Sequence, residues 1–233
     1  MRTILVSGAS GGMGAAIVAT LAALPDTRVI AVTRSRAWAP PEGNVVVEVG
    51  DIAERDFLAG LVERYPSTWG VINTVGVAGE RRAFDTWGVD DLTDMLRINA
   101  ALTVEFTNAF LPAVRRARGL IVFINSDAGI VSYPKFGAYA ASKFALRALT
   151  DALRAEEMGN GVRITSLYPG KTDTPLLVQD YARNGWRYQP ERYISPEAIS
   201  AVIRTVVELP PESSITDLVI EPTLRLSPEP LEP

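Results

Sequence analysis

The chain places a phenol and an ammonium four residues apart, in Tyr139-Ala140-Ala141-Ser142-Lys143. On a helix, side chains at this spacing stand one above the other on a single face, within reach of a common point. A tyrosine alone, with a reference pKa of about 10, is a poor acid-base catalyst near neutrality. A fixed neighbouring positive charge favours the phenolate and is expected to draw that pKa toward the working range. The alternative is a surface tyrosine with a solvated lysine one turn on. With 7 Tyr and 3 Lys in 233 residues, chance supplies such a pair about 0.1 times, so other segments must decide. The chain has no His and no Cys. That excludes disulfides, thiolate catalysis and Cys-bound zinc, and removes the commonest general base. Acid-base work is left to Tyr, Lys, Asp or Glu.

The elements that position this pair must come from a soluble chain of ordinary composition. Apolar residues make up 47% and charged residues 21%, as in a globular domain. A net charge of −4 argues against a nucleic acid or an anionic membrane as the main partner. No apolar run approaches the roughly 18 residues that span a bilayer. Met1-Arg2 before Ile4-Leu5-Val6 faintly resembles a signal peptide, but the run breaks at Ser7-Gly8 and enters a glycine cluster, so a cytoplasmic protein is expected.

Short Val/Ile-rich runs read as seven strands: Thr3–Ser7, Arg28–Thr33, Asn44–Val49, Val71–Thr74, Leu120–Asn125, Arg163–Leu167 and Asp217–Glu221. Near-continuous apolar runs suit strands buried on both faces. Helical spacing marks Met13–Leu24, Glu54–Tyr65, Ile98–Arg118, Ala138–Met158 and Pro196–Leu209. The alternation implies an α/β fold: one doubly wound, Rossmann-type parallel sheet of about seven strands with helices on both faces. A single domain over 1–226 is expected, with 227–233 as an extended Pro-rich tail.

Directly after the first strand comes Gly8-Ala9-Ser10-Gly11-Gly12-Met13-Gly14, opening the first helix. Glycines let the backbone turn tightly and approach a diphosphate, and a helix N-terminus offers N–H groups and a positive dipole end. The alternative is a Gly-rich turn with no ligand. After the second strand the chain reads Val32-Thr33-Arg34-Ser35-Arg36, with no carboxylate to hold a ribose 2′-hydroxyl. A guanidinium there accommodates a 2′-phosphate, so the expected cofactor is NADP(H), read by Thr33 and Arg34. Otherwise Arg34 and Arg36 are a solvated loop pair.

Together these segments resemble the short-chain dehydrogenase/reductase family over nearly the whole chain. Gly8, Gly12 and Gly14 match its T-G-x-x-x-G-x-G with Ser7 for Thr, and Asp51-Ile52 is similar to its adenine-holding acidic-aliphatic pair. Asn73-Thr74-Val75-Gly76 stands where the family has N-N-A-G, departing at two of four positions. Asn99 resembles the catalytic asparagine, and Ser126, thirteen residues before Tyr139, the catalytic serine. Pro169-Gly170-Lys171-Thr172-Asp173-Thr174 is similar to the P-G-x-x-x-T that lines the nicotinamide.

The resemblance implies a carbonyl reductase, reversible, working on a small-molecule ketone, aldehyde or alcohol. Tyr139 would exchange the proton, and Lys143 would lower its pKa and bind the nicotinamide ribose. Ser126 would hold the substrate oxygen, and Asn99 a water relaying protons to Lys143. The residues also admit plainer roles: Ser126 as a turn cap, Asn99 as a helix cap, Thr172 and Thr174 as turn formers. On the same fold, a non-catalytic NADP(H) sensor or scaffold, an epimerase or a dehydratase are the other classes. Residues 175–195, with Leu176, Leu177, Tyr181, Trp186 and Tyr188, read as a lid loop, and imply a hydrophobic or aromatic substrate unless these aromatics pack in the core or on a neighbouring subunit. The resemblance further implies a homodimer or homotetramer through the two long helices, although the alanines of the second would equally suit packing on its own sheet.

Overall fold

Alternate residues of each central strand bury on opposite sides of a single sheet. In β1 (Arg2–Ser7), Ile4 and Val6 join one apolar cluster while Leu5 joins another, and all three are fully buried. In β5 (Leu120–Ile124), Val122 faces the first cluster, and Ile121 and Phe123 the second. This period of two, apolar on both faces, is what a covered parallel strand requires. The computed structural model describes residues 1–224; the expected tail at 227–233 lies outside them.

The remaining strands are β2 (Thr27–Thr33), β3 (Val45–Val49), β4 (Thr68–Asn73), β6 (Arg163–Pro169) and β7 (Asp217–Ile220). All pairings are parallel, in the order β3-β2-β1-β4-β5-β6-β7. Strand order reverses beside β1, so the connections leaving the carboxyl ends of β1 and β4 run to opposite faces of the sheet and leave a crevice there. One face carries α1 (Gly12–Ala22) and α7 (Pro196–Glu208), with Ile17, Leu21, Ile199 and Ile203 in its cluster. The other carries α2 (Arg55–Arg64), α4 (Leu102–Ala117) and α5 (Gly137–Glu157), with Leu61, Phe106, Phe110 and Leu146. The doubly wound architecture expected from the sequence is the one observed.

Two helices depart from expectation. The short α3 (Val89–Leu96) precedes a π-helical turn, Arg97–Ala101, so the helix expected from Ile98 is an α-helix only from Leu102. Within 175–195, read as a loop, α6 (Pro175–Arg183) forms instead. Thr174 caps it by accepting from the Leu177 N–H at 3.3 Å, with Pro175 at the first helical position. At the far ends of α4 and α5, Arg115 is hydrogen-bonded to the fully buried Glu157 carboxylate.

Candidate active site

The carboxyl ends of the strands form a cleft whose floor is the glycine loop. Gly8 has a φ of +71°, the left-handed region that favours glycine. Gly14 shows a second constraint, close packing: a Cβ there would lie 2.2 Å from the Gly8 carbonyl oxygen. α1 therefore starts hard against the β1–α1 turn. Its cap, Gly11, contributes no side-chain bond, and no acidic residue occupies the first turn. The first-turn N–H groups and the dipole end are thus available to an anion. Gly14→Ala is expected to lower the melting temperature by several degrees and to weaken dinucleotide binding at least about tenfold; thermal shift and fluorescence titration check both.

Beside this loop, Thr33 Oγ1 donates to Ser10 Oγ at 2.7 Å and accepts from the Ser35 N–H at 3.0 Å. Arg34 projects into solvent, 80% exposed, with Nη1 3.8 Å from Asp51 Oδ2. Asp51 also accepts from the Ala53 N–H at 2.9 Å, and Ile52 is buried against the α2 side of the sheet. These groups gather at the ends of β2 and β3, one strand from the glycine loop. A Gly-lined helix N-terminus beside an exposed guanidinium fits a dinucleotide bearing phosphates.

Asn73 does not join them. Its amide nitrogen donates to Thr107 Oγ1 at 3.0 Å and lies 3.5 Å from the Val122 carbonyl, tying β4 to α4 and β5. Expected as a cofactor-binding residue, its side chain points into the packed face instead, because the odd-even alternation of β4 turns it there. Gly76 does lie at the centre. A Cβ on it would stand 3.3 Å from Asn99 Oδ1 and 3.5 Å from Lys143 Nζ.

Asn99 sits in the π-helical turn, fully buried. Its Oδ1 accepts from the Val77 N–H at 2.8 Å, and its Nδ2 donates to the Val77 carbonyl and the Ser142 hydroxyl, both at 2.9 Å. It caps no helix; its amide clamps the chain after Gly76 to α5. Lys143, 4% exposed, extends from α5 beneath this clamp, with Nζ 3.4 Å from the Ile124 carbonyl and 5.8 Å from the Tyr139 ring centre.

Tyr139 lies in the first turn of α5, stacked on Phe136 with ring centres 4.4 Å apart. Enclosure by protein pushes its pKa up to about 12, against a downward influence from the neighbouring Ser126 hydroxyl. Burial likewise brings Lys143 down to about 8. The expectation that Lys143 draws the phenol down is therefore corrected. The ammonium reaches past the ring toward Ile124, and desolvation outweighs every charge around the phenol. Tyr139 is held protonated, a state ready to donate.

Ser126, buried at the end of β5, donates to Asp127 Oδ1 at 2.8 Å and accepts from the Ala128 N–H at 3.1 Å. It is a turn cap and a neighbour of Tyr139 at once. Asp127 Oδ2 in turn accepts from the Tyr133 hydroxyl at 2.9 Å. A cavity of about 560 Å³ opens onto Ser126 and Tyr139 and reaches Pro169, Gly170, Thr172 and Thr174 after β6, and Met13 of the glycine loop. Thr172 and Thr174 donate to the Gly170 and Thr172 carbonyls, so both also build the turn.

One feature of the cavity carries no signal in the sequence. Arg81 forks onto Asp180 of α6 with three contacts of 2.9 to 3.1 Å, its guanidinium 4.2 Å from the Phe136 ring centre and 5.2 Å from that of Trp186. The partners are 99 residues apart in sequence, and no local signal joins them.

A doubly wound sheet with a Gly-lined helix N-terminus, and a protonated phenol beside a serine at the strand ends, define a dinucleotide-dependent oxidoreductase. A family model described as short chain dehydrogenase matches residues 2–184. An uncharacterized short-chain type dehydrogenase/reductase of Sinorhizobium fredii is 30% identical over 226 residues, covering 94% of this chain and 90% of that protein. The solved alcohol dehydrogenase from the archaeon Thermococcus sibiricus, complexed with 5-hydroxy-NADP, aligns with a TM-score of 0.81 at 23% identity, covering 97% of this chain and 99% of its own. The closed form of serine dehydrogenase complexed with NADP+ gives 0.82 at 22% identity and 94% coverage of each chain. The chain belongs to the short-chain dehydrogenase family. It is an oxidoreductase of that family, acting on CH–OH or carbonyl groups. Among the described residues, no helix is long and apolar enough to cross a membrane.

Proposed function

We propose that the chain is an NADPH-dependent carbonyl reductase, and that its hydrophobic cleft takes a ketone or aldehyde with an apolar or aromatic body. The carrying observation is Tyr139, held protonated beside Ser126 at the wall of a cavity that reaches Met13 at the start of α1. A bound nicotinamide would supply the hydride; the chain supplies geometry, a proton and electrostatics. Tyr139 gives its hydroxyl proton to the carbonyl oxygen as that oxygen gains charge. Ser126 turns its hydroxyl from Asp127 to the same oxygen and stabilises the developing charge. Lys143 holds the ribose hydroxyls with its ammonium and returns a proton toward Tyr139, and Asn99 and Gly76 fix the chain around it. Gly8, Ser10, Gly11, Gly12, Met13 and Gly14 cradle the diphosphate, while Thr33 and Arg34 read the 2′-phosphate and Asp51 and Ile52 flank the adenine.

NADP-type ligands in the two solved relatives named above support the cofactor choice, as does the absence of a carboxylate from Val32-Thr33-Arg34-Ser35-Arg36. Arg34→Asp is expected to reverse the preference for NADPH over NADH by about 100-fold or more, through loss of the bidentate phosphate contact and gain of a repelling charge. Initial rates with each cofactor measure this, and an unchanged preference rejects Arg34 as the reader. Exposed Phe144 and Leu149 on α5 support self-association through that helix; sedimentation as a monomer would contradict it. Screening aldehydes and ketones for NADPH consumption tests the reaction itself.

A further inference from the structure

Lys171, in the turn after β6, lines the same cavity as Tyr139 and Ser126. A loop lysine ordinarily reaches into water, yet this one is half-buried. Its ammonium donates to the hydroxyl of Tyr181 at 2.9 Å and stands 5.4 Å from that ring's centre. Tyr181 is itself 1% exposed and packs edge-on against Tyr193 at 5.5 Å. Among the described residues no carboxylate lies within ion-pair distance of the Lys171 ammonium. Asp180, whose charge favours the ammonium, is held by the fork of Arg81. Burial lowers the Lys171 pKa, and the charges of Arg81 and Arg192 act in the same direction.

A half-buried cation with one neutral partner has unused donor capacity, because an ammonium offers three N–H bonds. It faces a cleft whose apolar walls include Leu176, Leu177, Phe136 and Trp186, with Arg81, Arg192, Asp127, Asp180 and Glu221 also on its lining. A ligand with one apolar body and one anionic end would satisfy both.

We propose that Lys171, oriented by Tyr181, is a substrate-recognition residue for a carboxylate, so that the physiological substrate is a carbonyl compound carrying a carboxylate on an apolar or aromatic frame. The proposal rests on the reductase reading for the reacting end of that molecule. Lys171 touches neither the hydride nor the transferred proton; it selects and orients.

The test compares para-formylbenzoate with its methyl ester, in binding and in turnover, on the full chain. Calorimetric titration in the presence of NADP+ is expected to show the acid binding at least about tenfold tighter than the ester. Lys171→Met should erase that ratio, and Lys171→Arg should retain most of it, with melting curves confirming that both variants fold. Equal binding of acid and ester, or the same ratio in Lys171→Met, overturns the proposal. Turnover separates the two readings. Reduction of the ester without preference for the acid leaves the reductase standing and removes the subsite. Lys171-dependent binding of the acid with no carbonyl reduced keeps the subsite and removes the reductase.

Discussion

Tyr139→Phe is expected to lower kcat for carbonyl reduction by about 10³-fold, or about 4 kcal/mol in the barrier, while leaving NADPH binding within about twofold. The substitution removes one oxygen and keeps the ring stacked on Phe136 at 4.4 Å, so the fold and cofactor cleft persist. The residual rate would come from Ser126 and from proximity. Steady-state kinetics with an aromatic aldehyde, beside fluorescence titration with NADPH, measures both quantities. Because burial holds the phenol protonated up to about 12, its ionisation should leave the reductive rate flat across the neutral range. Any fall on the alkaline side below that point must belong to another group.

That group is expected to be Lys143, and its replacement separates function from stability. Lys143→Met should reduce kcat/KM by about 100-fold or more, through loss of ribose binding and of the charge beside Tyr139. The same change is expected to raise the melting temperature of the cofactor-free protein by about 5 °C, corresponding to roughly 1–3 kcal/mol. The sign follows from the pKa. Folding depresses the ammonium from 10.5 to about 8, so below pH 8 both folded and unfolded chains hold the proton and the fold bears the full cost of enclosing it. As pH rises from about 8 through the unfolded value, the folded chain sheds the proton first and the cost disappears. The stability gain of Lys143→Met should therefore be largest at pH 7 and shrink by pH 10. The unaltered enzyme should lose reductive activity as pH rises through about 8, and Lys143→Arg should carry that fall to higher pH. A melting temperature that drops in Lys143→Met at pH 7 would show that the buried ammonium stabilises the fold.

Much of this was legible in residue order. Val and Ile runs marked all seven strands: the central ones, covered on both faces, need no polar alternation, while the edge strands β3 and β7 are only partly buried, and the glycine loop declared itself by its place between a strand and a helix. The unforeseen helix α3 exposes or half-exposes every residue, so no buried stripe announced it. α6 carried a usable signal, Thr174 as cap and Pro175 at its first position, which the surrounding aromatics obscured. Asn73 was placed by motif, but strand alternation decides which way its amide points. The Arg81–Asp180 fork and the Lys171–Tyr181 contact exist only after folding, as does the sign of the Tyr139 shift. Spacing shows that a lysine is near a phenol; only the packed structure shows that desolvation outweighs it.

The most direct measurement follows a deuterium label from the nicotinamide C4 of NADPH into the product of an aromatic aldehyde. The unaltered chain should deliver the label to the new alcohol carbon with one NADPH oxidised per alcohol formed, and Tyr139→Phe should bind the labelled cofactor but transfer about 10³-fold more slowly. Unlabelled alcohol, equal transfer by Tyr139→Phe, or NADPH bound and never oxidised by any carbonyl would contradict Tyr139 as the proton donor of a reductase.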